Sequence, residues 1–345
     1  MNINEPTDNI KSTIIAIASN ESAYLAQFIF HHLSIGFDSI IIISNNSQDR
    51  TADIIEKISL QLNNVYHING NAWLRVWPRS EFQIRAYQLG LSLIECMKSK
   101  PDYVMFLDID EFWTPLGNTR QSISQYIDLH NKPDAFMFNW VIPEHDVKPF
   151  RYPLVENFSG IPHNHMKMLW KYRHPVKILN PHAIAAAGMN NELVVSGLPT
   201  IQRHATSRFP EHPGNAMIVH QMYRSEIEYI SILSRGVPDR DLKFKLNRLG
   251  YRHTFRTRNS IPLPVSSSII LTWENNFIPW LKDLSIYDDI VSGLRSVLYR
   301  AKEGISTYRY LSTEEKAIFE RSFLHLDLDT VELEIDRILD SPISL

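Results

Sequence analysis

Two aspartates one residue apart, Asp108 and Asp110, follow the apolar run Tyr103-Val104-Met105-Phe106-Leu107. The run is short, partly β-branched or aromatic, and bounded by Pro101 and Pro115, so it predicts a buried strand. Side chains alternate along an extended chain. Asp108 and Asp110 should therefore share a face while Ile109 turns back into the core. Two carboxylates facing one way repel each other unless a cation sits between them. Oxygen-rich sites of this kind suit magnesium or manganese, which commonly bridge to substrate phosphates. An acidic turn capping the next element is the plainer alternative. The position at a strand's end, and a second signature upstream, weigh against it.

That signature opens the chain. Thr13-Ile14-Ile15-Ala16-Ile17-Ala18 predicts a strand, and Ser19-Asn20-Glu21 predicts a helix start with Ser19 or Asn20 as N-cap. Leu25, Phe28, Ile29 and Leu33 recur at helical spacing, and Gly36 stops the helix. A second apolar run, Ser39-Ile40-Ile41-Ile42-Ile43, leads into the polar loop of residues 44–51. Ile54, Ile55 and Ile58 mark another helix, and residues 65–68 a third strand. Strand, helix, strand, helix, strand is the pattern of a parallel, right-handed βαβ arrangement. Ligands of such sheets bind at the carboxyl ends of the strands. Those ends carry the loops at Ser19 to Glu21 and Asn45 to Asp49, and the pair Asp108 and Asp110.

These residues resemble glycosyltransferases of the GT-A fold, in the broad family 2-like group. Residues 14–21 resemble that group's opening strand ending in Asn-Glu. Residues 41–51 resemble its strand followed by an Asp/Asn-x-Ser-x-Asp-x-Thr loop. Phe106 to Phe112 resembles the Leu-Asp-x-Asp-Glu-Phe form of the DxD motif, and Tyr223-Arg224-Ser225 after His220 resembles a segment of the subgroup with that ending. The similarity runs over residues 11 to 235. It implies a Rossmann-like mixed α/β sheet with helices on both faces. It also implies a metal-dependent, inverting transfer of sugar from a nucleotide-sugar donor, a UDP-sugar foremost, to a carbohydrate or glycoconjugate acceptor. The implied donor contacts are Ala18, Asn20, Glu21, Asn45, Asp49, Gln83, Arg85 and Asp108. The implied metal ligands are Asp108, Asp110 and His220, since related enzymes take a third ligand from a late histidine. Where many family 2 enzymes carry two aspartates for base and ribose, this chain has Ser44 and Asn45. The Asn45 amide both donates and accepts, so it can still read a base edge.

The chain has 345 residues, 44% hydrophobic and 21% charged, an ordinary globular balance for one large domain or two. A net charge of −3 argues against a nucleic-acid binder. The single cysteine, Cys96, excludes an internal disulfide and is expected to be a buried thiol. Residues 1–10 do not read as a signal peptide. No apolar run approaches the ~20 residues that span a membrane. A cytoplasmic protein, or one peripheral at the inner face of the membrane, is expected.

Other candidates are weaker. Arg75, Arg79 and Arg85 could neutralise phosphate, or form a solvated helix face. Gln83 and Arg85 are preferred, because their helix leads into the aspartate strand. Eight of fourteen histidines fall between His145 and His220 without zinc-like spacing. His220, after the apolar residues 216–219, is the one singled out as a ligand; His182 and His204 follow it. An inverting transfer needs a base for the acceptor hydroxyl. Glu144 and Asp146, on a loop after a strand, are candidates, with Glu111 a third whose alternative role is to shape the turn. Residues 1–255 form the expected transferase domain and 256–345 a helical extension, which covers the acceptor side or joins subunits in a homo-oligomer. Ser312-Thr313-Glu314-Glu315 is a capping box, and Val331 to Leu339 an amphipathic helix. Trp273, Phe277 and Trp280 read as core residues rather than sugar platforms. Two rival functions are a nucleotidyltransferase and a non-catalytic nucleotide- or carbohydrate-binding protein. The first usually needs a Gly-rich, basic phosphate loop that Ser19-Asn20-Glu21 does not provide. The intact Asp108 and Asp110 argue against the second.

Overall fold

The computed structural model describes residues 10–343 apart from 75, 145–147, 173–175, 187–192, 196–197, 200–208 and 236–241. The isoleucine-rich runs form β1 (Ser12–Ala18) and β2 (Ser39–Ser44), joined by α1 (Leu25–Ser34). Then come α2 (Thr51–Gln61), β3 (Val65–Asn69), α3 (Asn71–Leu74), α4 (Phe82–Cys96) and β4 (Tyr103–Asp108). All four strands are parallel: β1 pairs β2 on one side and β4 on the other, and β2 pairs β3. The chain thus winds outward from β1 in both directions, which puts a topological switch point between β1 and β4.

The second half adds β5 (Glu111–Pro115), α5 (Ile123–Leu129), β6 (Ala135–Pro143) and β7 (Ser159–Lys171). The strands β8 (Val176–Asn180) and β9 (Ala183–Ala186) form a separate pair. They are followed by β10 (Leu193–Val195), β11 (Leu198–Pro199) and β12 (Ala216–His220). The main sheet runs β11-β10-β6-β7-β4-β1-β2-β3, with β12 beside β6 and β5. Because β7 is antiparallel to β4 and β6, the sheet is mixed, as expected.

Alternation along the strands fills both faces. Ile14, Ala16, Ile40, Ile42, Met105 and Leu107 pack into one cluster with α1 and α2; Ile15, Ile41, Ile43, Val104 and Phe106 pack into another under α4. Each fully buried isoleucine side chain stabilises the fold by roughly 1.5–3 kcal/mol. A one-residue slip would exchange the two rows between the α1/α2 face and the α4 face, so the fitted packing of each face fixes the register. A Cβ at Gly90 would lie 2.6 Å from Ile15 Cγ2, so glycine there lets α4 sit tightly on β1.

Two expectations need correction. Helix α1 begins at Leu25, not at Ser19 or Asn20, and its N-cap Tyr24 makes no side-chain cap. Residues 19–24 instead form a turn sewn to the loop after β2: Glu21 N–H donates to Thr51 Oγ1 (2.7 Å) and Gln48 N–H to Asn20 Oδ1 (2.8 Å). Asn20 adopts a left-handed φ of 56° to make this turn. Cys96 is exposed at the end of α4, while Ile94 makes the core contact there.

The C-terminal third is helical: α6 (Glu226–Leu233) and α7 (His253–Thr257), then, past the short β13 (Ile261–Pro262), α8 (Ser267–Asp283), α9 (Tyr287–Arg309), α10 (Thr313–Phe323) and α11 (Leu328–Leu339). Ser312 and Glu315 make the expected capping box. Trp273 and Phe277 are wholly buried and Trp280 is packed against the same core as β1 and α1. Among the described residues no helix is long and apolar enough to cross a membrane.

Candidate active site

The loops after β1, β2 and β4 line one cavity of about 360 Å³. Asn20, Asn45, Gln83, Asp108 and Asp110 contribute to it, with Ile109 between the aspartates also lining it although only 3% exposed; Asp108 ends β4 and Asp110 lies in the turn that follows. Residues distant in sequence complete the lining: Arg224, Arg235, Lys245 and Arg248. A second cavity of about 630 Å³ adjoins it, sharing Asn20, Asn46 and Arg235 and walled by Ser296, Tyr299 and Arg300 of α9.

Each aspartate has a cationic or imidazole partner. The ammonium of Lys167, on β7 and fully buried, lies 2.9 Å from Asp108 Oδ2 and 3.0 Å from Glu111 Oε2. Glu111 is itself wholly buried and accepts the Asp108 backbone N–H at 2.8 Å. Burial makes Glu111 harder to ionise than a free glutamate, with Lys167 working against that and the two aspartates adding to it. Burial alone would lower Lys167, but Asp108 and Glu111 outweigh it and keep the ammonium charged. Asp110 Oδ2 lies 3.5 Å from His220 Nε2. Burial alone would raise Asp110; His220, Arg224 and Arg248 outweigh it and hold its carboxyl far below the usual range, so Asp110 is ionised. The Gln221 N–H donates to the Asp110 carbonyl at 2.9 Å, which locks the end of β12 onto the aspartate turn. His220 is 7% exposed, its Nδ1 is buried without a partner, and its ring lies 4.1 Å from that of Trp140. Among the described residues, no group of three or more His, Cys, Asp or Glu side chains is arranged to hold a metal ion.

The model of glycosyltransferase family 92 matches residues 15–195, just over half of the chain. The chain belongs to glycosyltransferase family 92. The matched region is a glycosyltransferase-family domain, and the resemblance drawn from its motifs stands at that level. No curated protein matches it. Among solved structures it is similar to S. aureus TarS 1-349 in complex with UDP, at 18% identity and a TM-score of 0.28, over 41% of this chain and 38% of that one. It is also similar to S. aureus TarS at 17% identity and a TM-score of 0.24, over 40% and 22%. A third similarity, to TarS 1-349, spans 96% and 91% at 11% identity and a TM-score of 0.32. The chain thus spans well under half of the first two.

In this family 92 chain the residues singled out from sequence divide into three groups. Asn20, Glu21, Asn45, Gln83, Asp108 and Asp110 line the cavity, and His220 touches its edge through Asp110. Ala18, Asp49, Arg85, Glu111 and Glu144 do not line it. Ala18 is fully buried between Ile17 and Ser19, which do. Asp49 spends both oxygens on the loop, accepting from Ser22 N–H and Oγ (3.1 and 2.7 Å) and from Thr51 N–H (3.0 Å). Arg85 pairs with Glu81 on the helix surface at 2.7 Å. Glu111 lies behind the aspartates, shaping the turn. Glu144 accepts from Ser159 Oγ at 2.9 Å and from Ser260. His182 Nδ1 donates to the Met166 carbonyl (3.0 Å), and burial lowers its pKa to about 4. Asp146, His145, His204 and Arg75 lie outside the described residues.

Sequence reasoning missed Lys167 and, apart from Arg224 in the noted Tyr223-Arg224-Ser225 segment, the basic residues of the cavity. Lys167 is the lone charge in the apolar stretch Met166 to Trp170 of β7, a signal in itself. Arg224 follows the noted His220 and holds a left-handed φ of 54°. Non-glycine residues in that region cost about 1–3 kcal/mol and cluster at functional sites.

Proposed function

We propose that the cleft binds a nucleotide-sugar donor, in the first instance a UDP-sugar. The enzyme then transfers the sugar with inversion to a hydroxyl of a carbohydrate or glycoconjugate, with manganese or magnesium as cofactor. The observation that carries the reading is the cavity at the carboxyl ends of β1, β2 and β4, lined by both carboxylates and basic groups. Asn45 is suited to the base: its Oδ1 is buried and has no partner. An unmet buried acceptor costs about 1–3 kcal/mol, which a ligand's N–H can offset.

The residues present fit a divalent ion. Asp110 and His220 offer a carboxylate oxygen and an imidazole nitrogen 3.5 Å apart. The remaining positions fall to phosphate oxygens and water, as is usual for magnesium. Asp108 contributes less, because Lys167 holds one of its oxygens. When bound, the ion supplies Lewis-acid compensation of diphosphate charge. The chain's own residues do the rest. Asn45 and Gln83 orient the nucleoside, and the Lys167–Asp108–Glu111 network keeps the aspartate turn in one geometry. An inverting transfer also needs a base. Glu144 is tied to Ser159 and Ser260, so Asp146 is the carboxylate we assign to it.

Calorimetric titration of manganese into protein with UDP tests the metal assignment. His220→Ala and Asp110→Ala should each raise the manganese Kd at least tenfold. An unchanged Kd in either variant removes that residue from the site.

A further inference from the structure

We infer that Arg224, Arg235, Lys245 and Arg248 form a fixed basic cradle that binds the donor's diphosphate whether or not the metal is present, and that shares in stabilising it as the leaving group. The inference rests on the donor reading above and says which part of the ligand these basic residues take.

The four cations approach one cavity from three places: the end of β12, the end of α6 and the segment 242–250. Arg224 is only 4% exposed, yet its Nε and Nη2 are buried without hydrogen-bond partners. The Nε atoms of Arg235 and Arg248 are buried and unpartnered too. A guanidinium has five donors and no acceptor. A buried N–H without a partner costs about 1–3 kcal/mol, so several in one place mark where an acceptor-rich ligand belongs. Arg224 is pinned for that purpose: its guanidinium lies 3.4 Å from the centroid of the Tyr24 ring.

The charges are unbalanced in the same direction. Three carboxylates share the cavity, but Glu21 is taken by Arg235 and Asp108 by Lys167, and Asp110 faces His220. Arg224 and Arg248 act on Asp110 from a distance, but among the described residues neither they nor Lys245 make a close ion pair with those carboxylates. Lys245 registers the crowding: burial first, then Arg235 and Arg248, push its pKa down to about 8. Glu21 and Asp110 act on it the other way. An anion rich in acceptor oxygens would relieve both the unmet N–H groups and the repulsion. The planar guanidinium fork matches phosphate oxygens two at a time.

In the transfer, the bond from the anomeric carbon to the β-phosphate oxygen breaks, and its electron pair stays on that oxygen. The acceptor oxygen bonds the anomeric carbon, and its proton passes to the base. The added charge therefore appears on the diphosphate, where fixed donors stabilise it without reorganising.

The test is titration of inorganic diphosphate and, separately, UDP into the protein in EDTA and in manganese. Arg224→Gln risks the fold because Arg224 is so buried, so Arg248→Gln and Lys245→Met, at partly exposed residues, carry the test. Wild type should bind inorganic diphosphate in EDTA, and each variant should bind it about tenfold more weakly. Binding that appears only with manganese, or that is equal in the variants, overturns the cradle. UDP separates this inference from the donor reading. A protein that binds inorganic diphosphate but no UDP in either condition keeps the cradle and loses the proposed donor.

Discussion

Lys167 is the residue on which the aspartate turn depends. It is fully buried and bridges Asp108 and Glu111. Removing one partner of a buried charge network leaves an uncompensated charge, at a cost of about 3–5 kcal/mol. Lys167→Met should lower unfolding stability by that amount in urea titration. Adding Glu111→Gln should restore part of it, because it removes the carboxylate left unpaired. If the double variant is as unstable as the single one, the network is not held by charge. At this scale the aspartate pair was legible: two carboxylates closing an apolar strand have few reasons to be there. That Asn45 and Gln83 would line the cleft was legible from the place of Asn45 after β2 and of Gln83 on the helix before the aspartate strand. Lys167 was not, because its partners come from β4 and the turn after it. Contacts across the sheet leave no trace in local spacing. Asp49 shows the ambiguity of a polar loop residue: it holds its own loop through Ser22 and Thr51 and also lines the adjoining cavity.

Among the elements, α9 shows how the C-terminal extension supports the donor side. Its helical character was legible from capping and periodicity, but an amphipathic face does not name its partner. The structure places α9 against the turn after β1. A Cβ at Gly293 would lie 2.7 Å from Ala23 N, and one at Gly304 would lie 2.0 Å from Ser234 Oγ. Near its start, the almost buried Asp289 pairs with Lys57 (2.6 Å) and Arg50 (3.0 Å) of the loop and helix after β2. Two effects oppose each other in Gly293→Ala. Helix propensity favours alanine by roughly 0.5–1 kcal/mol. Overpacking against rigid backbone costs typically 1–3 kcal/mol. The clash is with backbone atoms that cannot swing away, so the substitution should destabilise by about 1–2 kcal/mol. It should also raise the KM for the donor, because it pushes on residues 22–23 beside Glu21. Chemical unfolding together with donor kinetics checks both. A stabilised variant with unchanged KM would show that α9 does not press on this turn.

For the whole molecule, two buried histidines tie the sheet to its helices. His31 Nε2 donates to the Trp113 carbonyl (2.8 Å) and its Nδ1 accepts from the Trp273 indole (3.3 Å). His32 Nδ1 donates to the Phe28 carbonyl (2.8 Å) and its Nε2 accepts from the Trp113 N–H (3.2 Å). All four ring nitrogens are partnered, so both rings are neutral. Burial lowers the His31 pKa to about 4 and that of His32 well below its ordinary value. The unfolded chain therefore takes up these protons first as pH falls. The stability they confer is complete above about pH 6.5 and is lost between there and about pH 4. His31 alone accounts for a loss on the order of 3 kcal/mol at full protonation of the unfolded chain. Urea unfolding at pH 7 and pH 5 should show it; equal stabilities would contradict it. The central claim concerns the cleft that this scaffold presents. Its most direct test is release of nucleoside diphosphate from nucleotide sugars by wild type and by the Asp108→Ala/Asp110→Ala variant, in manganese, with the melting temperature measured in parallel. The account predicts turnover of at least one nucleotide sugar by wild type. It predicts a loss of at least a hundredfold in the variant with the fold intact. Turnover by the double variant at the wild-type rate would contradict it.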